Sequence, residues 1–322
     1  MTEIYLVRHA EAEGNAYRRI HGQYDSRVTE NGLQQIAALE KRFEAIPIDA
    51  CYASDLNRTC VTSRAIYRPK GLALRRDARF REVNLGRWED VPFGNLERFE
   101  VEKSYQFDHD PLNWSIEGSE RFPEYTSRFL TAMREAAEEN DGKTIVIFSH
   151  GCVLRGVQYL LLDGKWPPYC DNTAVSKLRY ENGVFTVEYL NDASHLSDEI
   201  STYAREKWWR KGDRRDFNLW YHEENGVYHA MLREQEAGVV QADSDGTIRT
   251  LSLHEAFRGR KLGAQLLGCA VSFCRAHGCK AISVTLPKDA REVSFYLRHG
   301  FRVAEQMDSE LRLIKTIALP QE

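Results

Sequence analysis

Arg8 and His9 directly follow four apolar residues, Ile4 to Val7, and Ser149-His150 closes the apolar run Thr144 to Phe148. Arg58 stands just past a third short apolar stretch, Ala50 to Ala53. If these runs are strands of one parallel sheet, their carboxyl ends open on one edge, and two arginines and two histidines face one cavity. Guanidinium groups repel a metal dication and grip phosphate bidentately, so the set predicts a phosphate site and no metal. The competing arrangement, zinc on His9, His150 and a carboxylate, must work against both of those positive charges.

The elements that would position these residues are legible nearby. Up to about residue 195, short apolar runs alternate with helical patterns, as in a parallel sheet with crossover helices. Thr29 is placed to cap a helix through LQQIAALEKRF, Ser54-Asp55 to turn the second strand into a helix carrying Arg58, and a helix through VLRGVQYLLL follows His150. Glu82 to Phe122 carries Gly, Pro and aromatic residues without clear period and reads as a lid or insertion. From about Leu196 the pattern changes to a charged helical stretch and then to strands with turns at Glu224-Asn225-Gly226 and Ser244-Asp245-Gly246. A helix from about Arg260 to His277, a strand AISVTL, a short helix REVSFYLRHG and two closing strands complete an α+β pattern. The expected division is 1-195 and 196-322, in keeping with 322 residues and roughly 100 to 200 residues per domain.

Composition narrows the function. With 42% hydrophobic and 29% charged residues the chain reads as an ordinary globular protein, and a net charge of -4 leaves no basic footprint for nucleic acid. Seven cysteines, an odd number without a CxxC pair, argue against a disulfide framework and for a reducing compartment. The N-terminus MTEIYLVRHA has no signal pattern and no apolar run approaches ~18 residues, so a cytoplasmic protein without membrane contact is expected. A homo-oligomer is compatible with all of this.

Five motifs in order resemble the histidine phosphatase superfamily, the cofactor-dependent phosphoglycerate mutases and their phosphatase relatives, over roughly residues 1 to 195. They are Arg8-His9-Ala10 with Asn15 downstream, GQYDSRVTENGLQQ, SDLNRTCVT, EVNLGRWE and SHGCVLR. The resemblance implies a three-layer α/β/α domain with a mostly parallel sheet, no cofactor and a small phosphate ester as substrate. It makes His9 the nucleophile, has Arg8, Asn15, Arg58 and His150 hold the phosphoryl oxygens, and makes Glu82 the proton donor. The chemistry suits these residue types: a neutral imidazole attacks phosphorus, arginines stabilise the equatorial oxygens, and a protonated carboxyl near Trp88 delivers the leaving group's proton. Ala10, Ala12 and Gly14 depart from the usual residues. His21 stands where shorter phosphatases often carry glutamine and is counted with the phosphate-binding set; Glu120 is left open between pocket and surface.

A second stretch, FRGRKLGAQLL, joins an arginine- and glycine-rich turn to a helix start, whose free amides attract phosphate. It resembles the pyrophosphate loop of the GNAT acetyltransferases, over about residues 205 to 320, with support from TLSLHEAF and REVSFYLRHGF. This resemblance implies an α+β domain with a mixed sheet that binds acetyl-CoA on Arg258, Gly259, Arg260, Lys261, Leu262, Gly263 and Ala264. Tyr296 would protonate the departing thiolate or pack with Phe295 and Phe301; Glu223, Glu224 and His254 remain candidate bases. Lys261 occupies the place of the first glycine. If it lies in a helical first turn, its φ is negative and lysine follows the same path as glycine.

The expectation is a bifunctional enzyme, a metal-independent phosphomonoesterase with an acetyl-CoA-dependent N-acetyltransferase acting on a small amine. Two alternatives are a phosphatase whose C-terminal domain only senses CoA or binds protein, and a phosphoglycerate-type mutase.

Overall fold

A computed structural model of the chain describes residues 1–206 and 212–320. It separates into two compact units. The first comprises Met1–Ala12, His21–Glu89 and Tyr105–Lys207, and the second Glu13–Ile20, Asp90–Ser104 and Trp208–Glu322. The segments 1-195 and 196-322 do not map onto these units residue for residue, because 13–20 and 90–104 pack with the later part of the chain.

In the first unit six strands form one sheet: β1 (Thr2–Arg8), β2 (Ala50–Ala53), β3 (Leu74–Arg76), β4 (Thr144–Ser149), β5 (Val175–Glu181) and β6 (Val184–Asp192), in the order β3-β2-β4-β1-β5-β6. The first four run parallel; β5 and β6 close the edge antiparallel. Tyr5 and Val7 of β1 pack with Leu39, Phe43 and Ile66, while Ile4 and Leu6 on the alternate face are equally buried. A strand covered on both faces must be a continuous apolar run, which is what residues 4 to 7 supply. Thr29 caps the helix Glu30–Phe43 by accepting from Gly32 N at 3.0 Å. The helices Asn57–Tyr67, Phe122–Glu139 and Gly151–Leu161 supply the remaining crossover layers.

The second unit holds a four-stranded antiparallel meander, β7 (Trp220–Glu224), β8 (Val227–Leu232), β9 (Gln235–Ala242) and β10 (Ile248–Leu253). A three-stranded antiparallel sheet, β11 (Ala281–Pro287), β12 (Arg302–Gln306) and β13 (Glu310–Thr316), has the order β11-β13-β12. One parallel bridge, Thr247 to Ser283, links the two sheets. Asn225 and Gly226 both have positive φ, 50° and 77°, the signature of a tight hairpin turn between β7 and β8. The helix Gly263–Ala276 lays Leu266, Ala270 and Cys274 into a core with Ala230, Val240, Ile282 and Leu313.

Tyr17 belongs to that core. Next to it, buried Glu13 accepts from Arg275 Nη2 at 2.6 Å and lies 3.1 Å from Lys315 Nζ, which donates to the Tyr17 hydroxyl at 2.7 Å and to His299 O at 3.0 Å. Burial alone would raise the Glu13 carboxyl, but Lys315 and Arg275 outweigh it and hold the group below its ordinary range. Asn95 adds a polar splice to β7, with its Nδ2 donating to Tyr221 O at 3.0 Å and its Oδ1 accepting from Tyr221 N at 2.9 Å.

Candidate active site

Strand register gathers the edge residues. Arg8 pairs with Ser149 and Ala53 with Phe148, so His9, Ser54 and His150 leave adjacent strands together. His9 N donates to Ser149 O at 2.9 Å and Asn172 Nδ2 to His9 O at 2.9 Å, which fixes the peptide of His9 on both sides. Ala10 N donates to Thr62 Oγ1 at 2.9 Å.

The His9 ring has one possible neutral tautomer here. Its Nδ1 lies 2.7 Å from Ala10 O, and a carbonyl only accepts, so Nδ1 carries the proton and Nε2 keeps its lone pair. Burial, then Arg58 and Arg8, pushes the imidazole well below the ordinary histidine range. His150 lies with its ring centroid 5.2 Å from that of His9. Its Nδ1 accepts from Arg58 Nε at 3.1 Å, so Nε2 donates to Ser54 Oγ at 2.8 Å. Burial and Arg58 keep this ring neutral too.

Arg58 is fully buried and also grips a loop. Its Nη1 donates to Tyr24 O at 3.1 Å and its Nη2 to Gly22 O at 2.5 Å, while Asp25 Oδ1 lies 3.5 Å from Nη1. From the opposite polarity, Glu89 accepts from Gly22 N, Gln23 N and Tyr24 N at 3.1, 2.8 and 2.7 Å. A Cβ on residue 22 would stand 2.3 Å from Glu89 Oε1, so only glycine permits this approach. Asp25 Oδ2 accepts from Asn57 N at 2.6 Å at the start of the Arg58 helix. Glu89 and Asp25 were missed as site residues by sequence reasoning; they are the last Glu of EVNLGRWE and the Asp of GQYD, letters whose positioning role one sequence does not display.

Arg8 donates through Nη1 to Cys170 O at 2.5 Å. Its Nε is buried and has no hydrogen-bond partner among the described residues. A buried guanidinium N–H of this kind calls for an acceptor, and beside His9 a phosphoryl oxygen meets the need. Glu82 is buried, and its carboxylate accepts from Val83 N, Cys152 N and Val153 N at 3.0, 2.9 and 2.7 Å, the last two in the first turn of the Gly151–Leu161 helix. Glu120 turns out to be a support: it pairs with Arg128 at 2.7 Å, and Arg128 donates to Glu82 O at 2.8 Å. His21 holds Ser26 Oγ at 2.8 Å through Nδ1 and stands in the loop that Arg58 grips. Asn15 lies on the helix Glu13–Tyr17, which goes with the second unit. Among the described residues no group of three or more His, Cys, Asp or Glu is arranged to hold a metal, and no helix is long and apolar enough to cross a membrane.

In the second unit the helix begins at Gly263, and residues 258 to 262 remain a turn. This corrects the expectation for Lys261. Its φ is 62°, in the left-handed region that favours glycine, because the turn reverses before the helix starts. Gly259 also has positive φ, 75°, with open space where a Cβ would stand. Among the described residues no side chain caps the helix, so its first-turn amides fit a pyrophosphate group, as do the exposed Arg258 and Arg260. A Cβ on Gly263 would lie 3.0 Å from the Phe295 ring, which seats the turn on the helix Glu292–Arg298. Tyr296 is packed between Phe295 and Phe301, at centroid distances of 5.2 and 5.0 Å, and burial pushes its phenol up to about 12. Of the base candidates, Glu223 accepts from Gly226 N in the hairpin turn, and His254 Nε2 lies 3.0 Å from Glu236 Oε1.

Comparisons with known proteins match the chain to two families. The histidine phosphatase superfamily (branch 1) matches residues 4–193, and the acetyltransferase (GNAT) family matches residues 184–301. The probable phosphoglycerate mutase GpmB of Salmonella choleraesuis (strain SC-B67) is 30% identical over 207 residues, 61% of this chain and 95% of that protein. Among solved structures, Bacillus stearothermophilus YhfR shares 30% identity at a TM-score of 0.59, over 61% of this chain and 100% of that one. A mycobacterial glucosyl-3-phosphoglycerate phosphatase shares the fold at a TM-score of 0.55 with 20% identity, over 59% of this chain and 99% of that one. A match that spans residues 4–193 takes in more than half of the sequence, and with the catalytic-edge geometry it establishes that the chain belongs to the histidine phosphatase superfamily.

Proposed function

We propose that the chain is a metal-independent phosphomonoesterase that works through a phosphohistidine on His9. The observation that carries this reading is the His9 ring, whose Nδ1 proton is held by Ala10 O so that Nε2 keeps its lone pair, next in sequence to Arg8, whose buried Nε–H has no partner among the described residues. Nε2 attacks phosphorus as the P–O bond to the leaving group breaks, and Arg8 stabilises the equatorial oxygens. Glu82 enters as the carboxylic acid and gives its proton to the departing alkoxide; the carboxylate left behind, held by main-chain amides in the first turn of the Gly151–Leu161 helix, then takes a proton from the water that attacks the phosphoenzyme. Arg58, fixed by its bond to His150 Nδ1, adds to burial in keeping His9 neutral. Phosphate release from small esters is expected to persist undiminished in EDTA; loss in EDTA with recovery on adding zinc would sink the reading.

The C-terminal part is read as an N-acetyltransferase that uses acetyl-CoA, with the amides from Arg260 to Ala264 on the pyrophosphate. Bound acetyl-CoA supplies the activated acetyl group. Tyr296 keeps its proton at neutral pH and is the donor for the leaving thiolate; among the base candidates His254 has a carboxylate, Glu236, behind it. The left-handed Lys261 lets the reading be tested. Lys261→Gly should relieve a cost of about 1 kcal/mol, raising the unfolding midpoint, and should leave acetyl-CoA affinity intact or modestly changed. If calorimetry finds no acetyl-CoA binding to the wild type and Lys261→Gly creates it, the lysine is a block and the domain is a non-catalytic binding module.

A further inference from the structure

Arg155 sits on the helix Gly151–Leu161, one turn beyond Cys152, whose amide holds Glu82. Its guanidinium carbon lies 4.5 Å from the centre of the Trp166 ring and 5.7 Å from that of Tyr169. Tyr159 supports Trp166 from the next turn of the helix, with ring centroids 4.3 Å apart, and Phe122 meets both rings edge-on. Among the described residues Arg155 has no hydrogen bond or ion pair, although its position is fixed by rings. Aromatic faces take the flat sides of a guanidinium and leave its N–H edge free, and that edge is built for a carboxylate or phosphate. The ring wall is tied to the phosphate arginine as well: Tyr169 precedes Cys170, whose carbonyl accepts from Arg8 at 2.5 Å. Gly151, one helical turn (~5.4 Å) before Arg155 and on the same side of the helix, faces Arg8: a Cβ there would lie 3.1 Å from Arg8 Nε.

We propose that Arg155 reads the leaving group, selecting phosphate monoesters whose alcohol part carries a second anionic group. The proposal rests on the phosphatase reading of the same pocket and adds a substrate class to it. Trp166 and Tyr169, 37% and 62% exposed, hold the arginine while staying open to such a ligand.

The test compares 3-phosphoglycerate with glycerol 3-phosphate, which differ by a carboxylate in place of a hydroxymethyl group. The wild type should favour the carboxylated ester by about 10- to 100-fold in kcat/KM, the worth of one charge-assisted pairing. Arg155→Met, which keeps the apolar stem between the rings, should raise KM for 3-phosphoglycerate by about that factor with kcat little changed, and Arg155→Lys should recover part of the loss. A wild type without preference, or equal losses on both esters in Arg155→Met, overturns the proposal. If the wild type hydrolyses neither ester, the phosphatase reading fails on its own, and calorimetry with the His9→Ala protein decides about Arg155. There 3-phosphoglycerate should bind about tenfold or more tightly than glycerol 3-phosphate and lose that advantage when Arg155→Met is added. Equal affinities before the second substitution overturn the proposal.

Discussion

His9→Ala is expected to reduce phosphate release by a factor on the order of 10⁴ or more, since removing a nucleophile abolishes the covalent route and leaves only what binding and charge stabilisation achieve. The effect is this large because nothing else in the edge cluster can take over. His150 has both ring nitrogens engaged, by Arg58 and Ser54, and the serine hydroxyl is shared with Thr59 at 2.7 Å. The folded state should survive, because the His9 ring makes one hydrogen bond, to the carbonyl of its neighbour. The measurement is phosphate release under single-turnover conditions, with trapping of radiolabelled phosphoenzyme as the second readout. Wild-type label that survives in His9→Ala would place the phosphoryl group elsewhere. In the ligand-free protein an NMR titration should find the His9 ring unprotonated through pH 6.5, because its depressed pKa moves proton uptake to lower pH. A ring that titrates at the ordinary value would remove the neutral-nucleophile argument.

Glu13→Ala should cost about 3 to 5 kcal/mol in the second unit, the usual penalty for leaving a buried charge without its partner. Two cations lose their counter-ion at once, Arg275 and Lys315, and both are buried or nearly so. Thermal unfolding followed by calorimetry should show the transition of the second unit moving to lower temperature, and residues 196–322 expressed alone should lack a cooperative transition. Both changes remove the Glu13 carboxylate that pairs with Arg275 and Lys315, and the isolated segment also lacks Tyr17, which belongs to the core. An isolated 196–322 segment that unfolds as cooperatively as it does in the full chain would show that the pair contributes nothing essential.

Much of this arrangement is legible in residue order. The strand Ala50–Ala53, the Thr29 cap and the hairpin at Asn225-Gly226 follow from local signals: an apolar run, a hydroxyl before a helical pattern, a turn dipeptide. The gathering of Arg8, His9, Arg58 and His150 follows from strand ends in a parallel sheet. What stays hidden is set by partners far along the chain. Glu13 and Arg275 are 262 positions apart, and in its own neighbourhood Glu13 looks like any helical carboxylate. Lys261 is hidden for a different reason: its dihedral depends on where the helix begins, and a shift from about Arg260 to Gly263 takes the residue out of the helix and into a turn. The place of Arg58 just past a strand end was readable, yet its hold on the carbonyls of residues 22 and 24 appears only once the loop is folded against it.

That hold on the loop bears on how such a pocket changes over evolutionary time. Residues 22 to 24 are pinned through their carbonyls by Arg58 and through their amides by Glu89, and residue 22 tolerates no side chain. A mutation on that wall breaks several bonds before it alters the fit of any ester, so selection would remove it for its effect on folding. The wall around Arg155 is built differently, from ring contacts that other aromatic or aliphatic residues can replace one at a time. On the phosphatase reading proposed above, new substrates are therefore most accessible to this lineage through residues 155 to 169, with the loop between Arg58 and Glu89 inherited unchanged.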